Sequence, residues 1–344
     1  MHKIIEITDR AQWDHTLADG GQGLFFQTSA WLSVIEKSFS GKAHLLVLQE
    51  DGSRSIPWPF VEVRKGGLKI WGSPLPGWMT PHISPALSAD EAPAAIDAVS
   101  RYLKGHGADH VELGFPIAMD AAALRQALYE TEPCQTLMLD LSGPADDVWK
   151  NKINGKCRNL VRKAQKLNVE VRRVKLSEII GDYCRMSDEV YAKSEKPSPV
   201  GPEFYAAMAE SFDDTDLLWT MAAYHEGRMV AAAIFPNFGS RVYYLSGVSG
   251  DKGNELSANN LIQWELIQLA CGSGKTSYDM VGANIPSIAR FKASFGSQPQ
   301  EYTIAHRSFS VRARLGRWMY KNVRPALRRM MFRLRTRKES PQSP

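Results

Sequence analysis

Apolar and polar positions change in short blocks that punctuate most of the chain. In 217–235, "LLWTMAAYHEGRMVAAAIF", two apolar runs flank Glu226-Gly227-Arg228, and "NFGSR" turns the chain again into "VYYLSGVS". Such runs broken by glycine turns predict a three-strand antiparallel meander. The long apolar run "NNLIQWELIQLAC" predicts a helix over roughly 257–271, and "SYDMVG" a strand parallel to the last meander strand. The first half repeats this plan. "HLLVLQEDGSRSIPWPFVEV" reads as a hairpin around Asp51-Gly52, "KGG" leads into "LKIWGSP", a helix covers about 90–104, and "ADHVELGFP" closes the unit. The expectation is an α/β protein of mixed sheets in two similar domains, 1–145 and 146–306, followed by a basic tail, 307–344.

Even the punctuation recurs, since "RYLKGHGADHVELG" and "IQLACGSGKTSYDMVG" both carry Gly-x-Gly where a helix gives way to a strand. The second of these, "GSGKT", resembles a phosphate-binding P-loop. That motif needs a glycine at 269, where Leu269 stands, and it opens a helix after a strand. Here the order is reversed, so the glycines are read as helix C-caps.

Composition narrows the class. With 44% hydrophobic and 23% charged residues the 344-residue chain is globular, and no run of 18 apolar residues predicts a membrane span. The start, "MHKIIEITDRAQWDH", lacks the apolar core of a secretory signal, so a cytoplasmic location is the default expectation. Four scattered cysteines suggest neither disulfides nor a metal site. The net charge of +5 is uneven: eleven Lys/Arg and no acid lie between Arg312 and Lys338.

Candidate chemistry gathers in three places. "VWKNKINGKCRNLVRKAQKLNV" holds seven basic residues without an acid, with Cys157, Leu160, Val161, Ala164 and Leu167 on one helical face. Its positive face is either simply solvated or meets an anionic ligand such as a phosphate, with Arg158 and Asn159 the best-placed contacts. "SGDKGNELSANN" delivers the chain to a helix N-terminus, either as a plain turn or as an anion cradle with Ser257 as N-cap. In "YDMVGANIPSIARFKASFG", Asp279 and Gly282 mark a strand end, where open α/β sheets bind ligands. Arg290, Phe291 and Lys292 follow on a short helix. Lys292, between Phe291 and Phe295, is either an exposed lysine or a desolvated ammonium aimed at a developing oxyanion. His82, with Trp78 in the loop "GSPLPGWMTPH", is either a structural histidine or part of a pocket wall.

The segments "CRNLVRKAQKLNVEV", Tyr191-Ala192-Lys193 with "GPEFYAAM", "YYLSG", "NNLIQWELIQLA", "YDMVGA" and "FKASFG" come in the order seen in FemAB-like proteins of the GNAT acyltransferase superfamily, which this chain resembles over about 150–305. That group includes peptidoglycan-bridge aminoacyltransferases and exopolysaccharide-associated enzymes. The resemblance implies tandem GNAT-like domains and transfer of an acyl or aminoacyl group to an amine. It places the family's Phe-Lys pair on Phe291 and Lys292, with the lysine at the reacting carbonyl and Asp279 or a water taking the proton. Tyr191, Tyr244, Asn260 and Asn284, on the segments of the match, join Arg158, Asn159, Arg290, Phe291, Trp78 and His82 as expected substrate contacts. Two departures leave the co-substrate open between acyl-CoA and aminoacyl-tRNA. "GVSGDKGNELSANN" lacks the acetyl-CoA signature, and 165–204 has no room for the helical hairpin of tRNA-dependent bridge enzymes.

In the tail, Leu315, Met319, Val323, Leu327, Met330 and Leu334 form a stripe among arginines, with Pro325 expected to kink or split the helix. Residues 312–337 are read as a membrane-surface anchor, an RNA contact or a packed terminal helix. The functional expectation is an N-acyltransferase on the inner face of the plasma membrane, acting on a phosphate-bearing envelope precursor, with no permanently bound cofactor and no metal. The alternative is a non-catalytic protein holding an anionic polymer or RNA.

Overall fold

The computed structural model describes residues 3–19, 23–49 and 55–323. Its strands are β1 (Lys3–Ile7), β2 (Lys42–Gln49), β3 (Ser55–Lys65), β4 (Leu68–Ser73), β5 (His110–Phe115), β6 (Glu130–Asp140), β7 (Glu170–Val174), β8 (Leu218–His225), β9 (Arg228–Phe238), β10 (Arg241–Tyr243), β11 (Ser246–Ser249), β12 (Ser277–Asp279) and β13 (Gln298–Ser308). They build one sheet in the order β1-β2-β3-β4-β5-β13-β6-β12-β10-β9-β8-β7, with β11 paired to β9.

The repeated plan is visible in this order. β4 runs parallel to β5 across the helix Ala92–Gly105, and β10 runs parallel to β12 across the helix Ala258–Gly272. The β8–β9 turn places Glu226 and Gly227 at positive φ, and the β3–β4 turn does the same with Gly66 and Gly67. Two successive left-handed residues match the twist of a tight hairpin. The first-half turn at Asp51-Gly52 lies outside the described residues, although β2 and β3 pair in full register around it.

Both Gly-x-Gly pairs are helix C-caps. Gly107 and Gly274 have positive φ, and the N–H groups of Ala108 and Lys275 reach back to the Leu103 and Ala270 carbonyls at 3.0 and 2.9 Å. This is the six-to-one bond of a Schellman motif, used twice.

The last strand of each half crosses the midline. β13 pairs with β5 from Thr303↔Phe115 to Ser308↔His110, while β6 pairs with β12 from Ser277↔Asp140 to Asp279↔Met138. β6 and β13 then pair with each other, so the sheet is unbroken through the middle. One core, around Trp58, Trp71 and Val99, lies under the helix Ala92–Gly105, and another packs Leu266, Tyr278 and Phe235 under the helix Ala258–Gly272. A third joins the halves, with Phe26 against Tyr243 at 5.0 Å and Phe25 against Phe212 at 5.0 Å.

Candidate active site

Where β12 ends, the chain makes a left-handed turn at Val281 and Gly282, with φ of 51° and 60°. Asp279 sets this turn: its Oδ1 accepts from the Val281 N–H at 2.9 Å and from Thr136 Oγ1 of β6 at 2.5 Å. The helix Pro286–Ala293 follows, with proline in its first turn where no donor is lost. Its last turn carries Lys292 back over the start of the segment, and the ammonium donates to the Val281 and Gly282 carbonyls, the latter at 2.9 Å. Nζ also lies 5.6 Å from the centroid of the Tyr244 ring, within reach of a cation–π contact.

Lys292 is 7% exposed. Burial pulls its pKa down to about 8, and the Asp279 carboxylate works against that fall. A lysine in this setting is a desolvated cation held by neutral carbonyl oxygens. Its ammonium has three donors, so two carbonyls leave one for an incoming group. Such a preset donor stabilises negative charge as it develops on an acyl oxygen. Asp279 is 1% exposed and its recorded bonds run inward.

Of the expected site residues, Lys292, Asp279 and Tyr244 come together. The Tyr244 N–H donates to the Asp279 carbonyl at 2.8 Å, its hydroxyl accepts from Asn259 Nδ2 at 3.3 Å, and burial raises the phenol's pKa. Phe291 is half-buried and packs edge-on to Phe295 at 5.3 Å. His82 is buried within the electrostatic reach of Asp279 and Arg241, and desolvation lowers its pKa to about 4, so the imidazole is neutral. His82 is 2% exposed, and neither ring nitrogen has a hydrogen-bond partner among the described residues.

Other candidates have different roles in the fold. Arg158 Nη1 donates to the carbonyls of Trp149, Lys150 and Ile153 at 2.9, 3.0 and 2.6 Å, closing the turn before the helix Gly155–Lys166. Those bonds engage Nη1 of the residue expected to meet an anion. Asn159 is exposed and accepts from Arg162 at 3.3 Å. Asn260 is buried with Nδ2 3.6 Å from Cys157 Sγ, tying two helices together. Asn284 and Arg290 are exposed beside the lysine's helix. Tyr191 ends the helix Leu176–Ala192 near Tyr183 and Tyr205. Trp78 stacks on Phe39 at 4.7 Å and lines a separate cavity. Ser257 is not an N-cap of the expected kind: its φ is 61° and its side chain makes no cap bond, because Asp251–Glu255 already form a short helix.

Sequence reasoning missed Thr136 and the two carbonyls that hold the ammonium. The carbonyls carry no residue-type signal, and Thr136 lies 143 positions from its partner. Among the described residues no group of three His, Cys, Asp or Glu side chains is placed to hold a metal.

A family model described as an acetyltransferase (GNAT) domain matches residues 151–293, the span that runs from the basic helix to the lysine's helix. The chain carries a GNAT acetyltransferase domain. Its fold over nearly the whole length is that of tandem GNAT proteins. The crystal structure of FemX superposes with a TM-score of 0.70 at 12% identity, covering 88% of this chain and 96% of that one. A tandem GNAT protein from the clavulanic acid biosynthesis pathway matches with a TM-score of 0.55 at 10% identity, covering 90% and 98%. The C-terminal domain of a putative lysylphosphatidylglycerol synthetase from Agrobacterium fabrum matches with 0.54 at 13%, covering 87% and 92%. No curated protein matches the sequence. The resemblance to FemAB-like GNAT proteins is therefore borne out in domain and fold, and the matched domain is that of an N-acyltransferase.

Proposed function

We propose that this N-acyltransferase moves an acyl or aminoacyl group onto an amine of a cell-envelope precursor, with the ammonium of Lys292 as the catalytic cation. The observation that carries the reading is the buried ammonium fixed by the Val281 and Gly282 carbonyls with a donor to spare. In this reading the neutral amine attacks the donor's carbonyl carbon, and the oxygen takes the electron pair beside Nζ. Collapse of the tetrahedral intermediate then expels the thiolate or alkoxide leaving group. The amine's proton passes to water, because Asp279 is enclosed and acts as a positioning residue through the Val281 turn.

An acyl-CoA is the donor we favour, on the strength of the GNAT domain, and aminoacyl-tRNA is its rival. FemX and the synthetase domain, as fold relatives, support an envelope acceptor. Association with a membrane surface is part of the proposal. Of the expected anchor, the helix Val311–Asn322 is described, and residues 324–337, with Pro325, lie outside the described residues. No helix among the described residues is long and apolar enough to cross a membrane. The test is turnover of acyl-CoAs and aminoacyl-tRNAs with a panel of amino-sugar and peptide amines. Lys292→Ala should lower kcat by about 100-fold or more, the usual cost of removing one oxyanion donor. Full activity in that variant would end the assignment of Lys292.

A further inference from the structure

Between the β3–β4 hairpin and the helix Val311–Asn322 lies a cavity of about 930 Å³, near the top of the range of roughly 300–1,000 Å³ in which proteins enclose small ligands. Neither Lys292 nor Asp279 lines it. Leu68, Ile70, Leu75 and Met319 make its walls apolar. Its mouth carries Lys65 at the end of β3 and Arg312 on the helix, whereas Arg64 points to the other face of the hairpin and pairs with Glu62 at 3.6 Å. The Arg312 guanidinium lies against Gly67 of the hairpin turn.

Glu112 also lines the cavity and is 4% exposed. Its Oε1 meets His110 Nε2 and Arg317 Nε, both at 3.0 Å, whereas Oε2 has no partner among the described residues. Oε2 is itself closed off from solvent, so the carboxylate acts from beneath the cavity, holding Arg317 of the helix against the sheet. Along the same helix, Val311, Leu315, Trp318 and Met319 follow at i, i+4, i+7 and i+8 and are 49–72% exposed, with Leu315 and Met319 at the cavity and Val311 and Trp318 away from it. An apolar stripe flanked by arginines, with a tryptophan among its members, suits the interface of an anionic bilayer.

We propose that this cavity takes the headgroup end of an anionic membrane lipid, its phosphate at Lys65 and Arg312 and its first methylenes along the apolar walls, while Val311 and Trp318 rest in the lipid interface. The site deepens the membrane part of the proposed function and is independent of the chemistry at Lys292. The two cations at the mouth match a phosphate, and the apolar walls match the glycerol and first methylenes.

The test uses the full chain and short-chain phosphatidylglycerol, short-chain phosphatidylcholine and inorganic phosphate in calorimetry, with sedimentation on phosphatidylglycerol vesicles beside it. Phosphatidylglycerol should bind at one per chain and phosphatidylcholine should not. Arg312→Glu, an exposed position, should weaken binding about tenfold or more, as loss of a charged phosphate contact does. Ile70→Trp should block the cavity, and Val311→Ser with Trp318→Ser should weaken vesicle binding while leaving the short-chain lipid bound. Lys292→Ala should keep lipid binding intact while losing transfer to soluble amines, so the two readings fail separately. Absence of phosphatidylglycerol binding, inorganic phosphate binding as tightly as the lipid, or indifference to Arg312→Glu would each overturn the site. Vesicle binding that depends only on residues 324–344 would also do so, by giving the lipid contact to the tail.

Discussion

Lys292 is asked for two properties that oppose each other. Burial sharpens its field and at the same time disfavours its charge. With the pKa near 8, the ammonium is present below that pH and is lost as pH rises through it, so a rate that depends on the cation falls on the alkaline side. Asp279 holds the value up, and Asp279→Asn should move the alkaline limb of kcat to lower pH while keeping an acceptor for the Val281 N–H. A pH profile with an acceptor amine of well-separated pKa checks this, and an unmoved limb would show that Asp279 does not act on the lysine. At this scale the sequence was partly readable. The flanking aromatics and the family pattern pointed to Lys292, and the strand end pointed to Asp279. What the sequence did not reveal was the direction in which Asp279 faces. A carboxylate at a strand end looks like an available base until its partner Thr136, on a strand from the other half, closes over it.

The element that positions the cation is the turn at 281–282, and it is strained. A left-handed backbone costs an ordinary L-residue about 1–2 kcal/mol, and a β-branched side chain makes Val281 an unusual occupant. Strain of this kind gathers where geometry is used, here to turn two carbonyls toward one ammonium. Val281→Gly should therefore change stability by no more than about 1 kcal/mol in either direction, since relief of strain is offset by lost packing against the core and by added freedom of the unfolded chain. Its kcat should fall because the carbonyl pair is held less firmly. Denaturant unfolding and steady-state rates measure the two, and full activity in the variant would contradict this account. Hairpins, the two long helices and their glycine caps were legible as elements, because each depends on local period and local φ. Ser257 was not, because the short helix before it changes where the long one begins.

At the scale of the molecule, the repeat was readable from the order of turns, but the exchange of β6 and β13 was not. Strand pairing across the midline is decided by which edge is vacant, and the strand's own alternation is the same whichever edge it joins. The two sequence units, 1–145 and 146–306, each place their final strand against the other's parallel pair. Separate fragments 1–145 and 146–344 should accordingly be insoluble or unfolded alone, with folding restored when they are produced together. Circular dichroism and size-exclusion chromatography report this, and two independently folded fragments would refute it. The exchange also bears on how reactants arrive. Two long neighbouring strands make the middle of the sheet its stiffest line, so the molecule has no hinge there and cannot clamp shut like a jaw. Donor and acceptor must slide in along surfaces already in place, past a turn that the Asp279 carboxylate and the Lys292 ammonium pin from both sides.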